Sequence, residues 1–215
     1  MTFESQFLNS APCWLVASDE AGRGPLAGPV VATSVALRLE GPHELEAIIT
    51  KLRRAGVNDS KKLTAQTRDA LAELVGPWTH ATVEVDAATI DEINILQASL
   101  LAMRTSAEKL VAKDKHLPVV WLIDGHRAPK DAMKDWSIHP IVKGDAKSAL
   151  IGLASIYAKV HRDHRMQELH RTYPVYGFDR HAGYPTAKHR ELIEVHGPSP
   201  IHRKTFKGVR EFLAR

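Results

Sequence analysis

The run Val119-Val120-Trp121-Leu122-Ile123 is apolar at every position and offers no polar side chain to water on either side. A strand of that pattern belongs inside a sheet covered on both faces, so the rest of the chain must supply neighbouring strands and covering helices. Trp14–Ser18 is a second short apolar run, and Pro29–Leu39, rich in β-branched residues, reads as another strand. The intervening AGRGPLAG is too glycine-rich for a regular element, which makes a strand–loop–strand unit. Thr79–Val85 alternates, and Ser137–Val142 completes five expected strands. Helices are expected over Thr64–Val75, which ends at Gly76-Pro77, and over Ala87–Ala112, where Ile90, Ile93, Leu100, Leu101 and Leu110 keep helical spacing. Asp145 stands where an N-cap would, ahead of a long helix to about Thr172. Thr186–Val195 and Phe206–Leu213 are two further helices. The pattern predicts an α/β or α+β sheet covered by helices. A chain of 215 residues suits one domain with an appendage, and Gly177–Thr186 is the best boundary to a small helical extension.

Charge is distributed unevenly. Residues 143–215 carry 14 Lys/Arg against 7 Asp/Glu, whereas residues 1–142 carry 15 against 18. A basic C-terminal third suggests a polyanionic partner, with a solvated basic surface as the alternative. The single cysteine, Cys13, excludes an internal disulfide and a Cys-rich zinc site, and a reducing, cytoplasmic location is expected. No apolar stretch reaches the length of a membrane span, and no signal peptide is visible.

Three segments deliver acids to element ends. Asp19-Glu20 ends the first strand, Asp124 directly ends the apolar run at Val119–Ile123, and Asp145 precedes the long helix. Singly, each has an ordinary reading as a solvated loop acid or a cap. Together, adjacent strands could bring all four within a few ångströms, where they would repel unless cations neutralise them. The expected occupants are two Mg²⁺ or Mn²⁺ ions ~4 Å apart, arranged for attack of water on a phosphodiester. Gly22-Arg23-Gly24-Pro25 lets the backbone approach a ligand closely, with Arg23 able to contact a phosphate. A dinucleotide loop is the rival reading of these glycines, but such a loop should open a helix, and Pro29–Thr33 reads as a strand. Lys61, in the turn Asn58–Lys62, is a candidate phosphate ligand or a surface lysine. Tyr184, in Gly183–Thr186, could stack on a sugar or base, or pack. His161 and His164, beside Arg162 and Arg165, read as a basic surface rather than a metal site.

Six ordered motifs resemble those of bacterial ribonuclease HII, the type 2 ribonuclease H family: DEAGRGPLAGPVVA (Asp19–Ala32), NDSKKL (Asn58–Leu63), IDGH (Ile123–His126), KGDAKS…ASIYAKVHRD (Lys143–Asp163), GYPTAKH (Gly183–His189) and GPSPIHRKTF (Gly197–Phe206). The resemblance implies an α/β, ribonuclease H-like fold: a five-stranded mixed sheet flanked by helices over residues 1–176, with a small C-terminal helical extension over 177–215. It implies a metal-dependent endonuclease, using Mg²⁺ or Mn²⁺, that cleaves the RNA strand of RNA–DNA hybrids. It also implies cutting 5′ of ribonucleotides embedded in duplex DNA, leaving 3′-hydroxyl and 5′-phosphate ends. By motif position Asp19, Glu20, Asp124 and Asp145 would be the catalytic, metal-binding carboxylates. Gly22, Arg23 and Gly24 would read the 2′-hydroxyl, Tyr184 would stack on the following deoxyribose, and Lys61 would bind phosphate near the cut. Gly152 stands where the family pattern suggests alanine, and Thr205 where serine is common. Val209–Arg215 lacks an aromatic clamp-binding box, so no sliding-clamp tether is expected, and a monomer is favoured. A two-metal DNA nuclease and a hybrid-binding module without chemistry are the rivals.

Overall fold

The structure is a computed structural model that describes residues 2–8, 12–57, 64–74, 79–112, 114, 116–129 and 135–213. All five expected strands form: β1 (Cys13–Ala21), β2 (Val30–Leu39), β3 (His80–Val85), β4 (Val119–Asp124) and β5 (Trp136–Ile141). They make one mixed sheet in the order β3-β2-β1-β4-β5, with β1 antiparallel to β2 and parallel to β4. The helices are α1 (Pro42–Arg54), α2 (Ala65–Leu74), α3 (Ala87–Val111), α4 (Gly144–Lys147), α5 (Ala149–Thr172), α6 (Phe178–His181) and α7 (Ala187–His196).

Strand alternation divides the core. Leu15 and Ala17 of β1 and Val120 and Leu122 of β4 face α1 and α5, while Trp14, Val16, Trp121 and Ile123 face α3. Beneath the strand ends a buried polar chain fixes the sheet against α3. Trp121 Nε1 donates to Ser18 Oγ at 2.7 Å, Ser18 meets Ser34 at 2.6 Å, Ser34 meets Ser106 at 2.7 Å, and Ser106 Oγ donates to the Met103 carbonyl. Every member is satisfied, as a buried network must be to stabilise rather than cost.

Three local expectations are corrected. The long helix is capped by Ser148, whose hydroxyl accepts from Ile151 N–H, and Asp145 sits instead inside the short turn α4. The backbone turns extended at Ser148, three residues beyond Asp145, with φ −104° and ψ 124°. The helix over 87–111 is interrupted at Asn94, with φ 66°, whose side chain caps Leu96 and Gln97. The expected last helix shrinks to a 3₁₀ turn at Arg210–Phe212, behind Gly208 at φ +97°. The sequence reading also missed α1 and the N-terminal 3₁₀ helix Glu4–Phe7, where buried Glu4 accepts from Ser148 Oγ and Ala149 N–H. Among the described residues no helix is long and apolar enough to cross a membrane.

The C-terminal segment is sewn to the glycine-rich loop between β1 and β2. Leu26 N–H donates to Gly183, Gly28 N–H to Ile201, and Arg203 N–H to Leu26. Behind this seam lie buried His189 and His202. Ser199 N–H donates to His202 Nδ1, the two Nε2 atoms are 3.1 Å apart, and His189 Nδ1 faces the Tyr184 carbonyl. Only neutral rings fit this chain, and burial lowers His189 to about 4 and His202 to about 3. Because the folded values lie below the unfolded one of ~6.5, the stability they contribute is present above ~6.5 and is lost as pH falls toward the folded values. Thermal melts should therefore show a loss of about 2 kcal/mol per histidine by pH 5. H189Q/H202Q should flatten that slope, and a wild-type melt unchanged from pH 7 to 5 would refute it.

Candidate active site

The carboxylates meet because of strand register. Ser18 of β1 pairs with Ile123 of β4, so the next pair outward is Asp19 beside Asp124, both on the α5 face by alternation. Glu20 follows one residue before the end of β1, still paired with Ala32 of β2. Asp19, Glu20 and Asp124 line one cleft of about 480 Å³ with Gly22, Arg23, Gly24, Arg68, Lys159, Arg162, Asp163 and Tyr184.

Burial governs their electrostatics. Asp19 is 5% exposed, and burial, followed by the charges of Glu20 and Asp124, pushes its pKa up to about 8, against a hydrogen bond from Ser155 and the charge of Lys159. Burial also raises Glu20, with Asp124 adding to it and Arg23 opposing. Asp124 Oδ1 accepts from Gly144 N–H at 2.6 Å and more weakly from Asp145 N–H at 3.4 Å. Asp145 is thus tied by its backbone to Asp124 and is itself buried, one step behind the residues that line the cleft.

The glycine-rich loop is held from below by two buried arginines. Arg203 donates to the carbonyls of Gly22 at 2.6 Å, Arg23 at 3.0 Å and Gly28 at 3.0 and 3.1 Å. Arg162 donates to Pro29, Ala27 and Ala182. A trans peptide points its N–H opposite to its C=O. Drawing the Gly22 and Arg23 carbonyls down onto Arg203 therefore turns the Arg23 and Gly24 N–H groups away from it. Gly22 has φ +91°, and a Cβ there would fall on the Arg162 guanidinium, so glycine is required both by backbone and by space. The Arg23 side chain donates to Glu20 Oε1 at 3.3 Å and lines the cleft. Tyr184 is 48% exposed, with its ring 5.8 Å from Arg162 Cζ, and so borders the cleft rather than filling the core. Lys61 lies outside the described residues. His161 and His164 are exposed and face Glu84 and Asp69, as a surface reading expects.

The sequence reading missed Arg68, Lys159, Arg162, Asp163 and Arg203. Arg68 Nη2 bonds Asp163 Oδ2 at 3.0 Å across the cleft wall. Among the described residues no three His, Cys, Asp or Glu side chains already enclose an ion position. The donor set nevertheless suits a hard divalent cation. It is all oxygen, it is buried at Asp19 and Asp145 and half-buried at Glu20 and Asp124, and the charges of Glu20 and Asp124 raise Asp19. Mg²⁺ characteristically takes one or two carboxylates and completes its shell with water and substrate phosphate, rather than a protein cage.

The family model for ribonuclease HII matches residues 16–209. The chain is 47% identical over 200 residues to ribonuclease HII of Dechloromonas aromatica, covering 91% of this chain and 92% of that one. It is 45% identical over 199 residues to ribonuclease HII 1 of Methylibium petroleiphilum, covering 92% and 91%. Among solved structures, ribonuclease H2 from Pyrococcus horikoshii superposes with a TM-score of 0.70 at 28% identity, covering 94% of this chain and 98% of that one. Bst-RNase HIII, solved in complex with Mn²⁺, shares the fold at 18% identity and a TM-score of 0.71, covering 99% and 72%. On these matches, and with a five-stranded ribonuclease H-type sheet at its centre, the chain belongs to the ribonuclease HII family of endonucleases, hydrolases of the RNA strand in RNA–DNA hybrids.

Proposed function

We propose that the cleft beside Asp19 is the hydrolytic centre, and that it cuts phosphodiesters 5′ of ribonucleotides in hybrids and in duplex DNA. The observation that carries this reading is the crowding of three acids, two of them with raised pKa values, directly beside a glycine loop whose peptides are turned by a buried arginine. Asp19, Glu20 and Asp124 would hold divalent cations, Mg²⁺ or Mn²⁺, with Asp145 completing the set from α4. Such ions, when bound, lower the pKa of a water and stabilise the leaving oxygen. Asp19, between Glu20 and Asp124, is the carboxylate best placed to serve two ions. The N–H groups of Arg23 and Gly24 would meet the ribose 2′-hydroxyl, the group by which a protein tells RNA from DNA. Tyr184 would stack on the next sugar, and Arg68 would meet a backbone phosphate. Residues 177–215 would act as an extension that braces the loop. The test is cleavage of a long RNA–DNA hybrid with Mg²⁺ or Mn²⁺ and after chelation. Cutting should require the ion, and cutting that survives chelation would reject the reading. Tyr184→Ala should weaken cutting at a single-ribonucleotide junction by roughly 5–100-fold, the range of one lost stacking contact. Unchanged cutting would remove the stacking role.

A further inference from the structure

Helix α5 brings Lys159 into the cleft that the carboxylates line. Its Nζ donates to Ser155 Oγ at 2.7 Å, one helical turn earlier. Ser155 is fully buried, and its hydroxyl is hydrogen-bonded to the Asp19 carboxylate. An ammonium has donors only, so Ser155 accepts from Lys159 and gives its single proton to Asp19. The polarity of the relay is therefore fixed: Lys159 to Ser155 to Asp19.

The other cations of the cleft wall have different ties. Arg23 meets Glu20, Arg68 meets Asp163, and Arg162 is held by backbone carbonyls. Lys159 lines the same cleft as Asp19, Glu20 and Asp124. We propose that Lys159 is a positioning residue and the resident counter-cation of the carboxylates. Through Ser155 it orients Asp19, and its charge competes with a divalent ion for the same carboxylate, setting how tightly that ion is held. This inference rests on the reading of the cleft as the hydrolytic centre.

The proposal predicts effects of opposite sign, which general damage to the site would not give. Neutralising Lys159 should tighten ion binding and slow cutting at once. The experiment uses the full-length enzyme without nucleic acid, with Mn²⁺ as the probe and free Mn²⁺ read by electron paramagnetic resonance. K159M should bind Mn²⁺ ~3–10-fold more tightly than wild type, the size of one unit charge removed at a partly exposed site. Its single-turnover rate on a duplex with one ribonucleotide should fall ~10-fold or more at saturating Mn²⁺, and K159R should return both values toward wild type. K159Q carries the same prediction should K159M fail to fold. Unchanged or weakened Mn²⁺ affinity in a folded, neutral variant overturns the role of Lys159 alone. A wild-type enzyme that neither binds Mn²⁺ nor cuts overturns the reading of the cleft, and this proposal with it.

Discussion

Asp19→Asn should lower single-turnover cutting by ~10³-fold or more, because the carboxylate assigned to both ions is the one the chemistry can least replace. The same substitution should stabilise the ion-free protein. The folded pKa of Asp19 is about 8, against an unfolded value of ~3.9. A group raised on folding contributes stability that is full below the unfolded value and is lost as pH rises through the folded one. At pH 8 the ion-free wild type therefore carries a penalty that the neutral amide lacks. Thermal melting in a chelator should place D19N a few degrees above wild type, and saturating Mg²⁺ should shrink or reverse the gap. Lost activity with an ion-free melting temperature below wild type would mean that Asp19 is structurally favourable as an anion, against the burial seen here.

The second large effect is expected at Arg203. Its side chain is fully buried and satisfies three loop carbonyls at once. Arg203→Met should leave those carbonyls unsatisfied, at a cost of about 3 kcal/mol or more. For a chain of this size each kcal/mol corresponds to ~2–4 °C, so melting should fall by about 10 °C. Lysine presents one point of charge rather than a planar fork, so Arg203→Lys should recover only part. At temperatures where the variants are folded, half-saturating concentrations for a single-ribonucleotide duplex should rise ~10-fold, because the Arg23 and Gly24 N–H groups lose their fixed direction. A variant that melts early yet binds and cuts normally when folded would confine Arg203 to stability.

The strands were legible because period-2 burial and continuous apolar runs are local signals. The same runs placed Asp19, Glu20 and Asp124 at strand ends, and the register of β1 with β4 then did the rest. Helix α1 is legible in principle, since Leu45, Ile48, Ile49 and Leu52 keep helical spacing behind Pro42. The choice between Asp145 and Ser148 as cap could not be read, because both are good caps and the difference lies in Glu4, which reaches Ser148 from 144 residues away. The arginines were illegible for a related reason. Arg162 and Arg203 look like surface charges in sequence, and their partners lie up to 181 residues off. Nothing local says that a guanidinium will be buried against backbone carbonyls. Lys159 is equally silent until α5 and β1 are seen to share a face.

The most direct measurement is the fate of a DNA duplex carrying one ribonucleotide, set beside the identical all-DNA duplex, with Mg²⁺ or Mn²⁺ and with chelator. The predicted result is a single cut 5′ of the ribonucleotide leaving a 3′-hydroxyl and a 5′-phosphate, none in chelator, and none in the all-DNA duplex. Equal cutting of the two duplexes would show that the glycine loop does not read the ribose, and no cutting with either ion would contradict the hydrolytic role of the cleft.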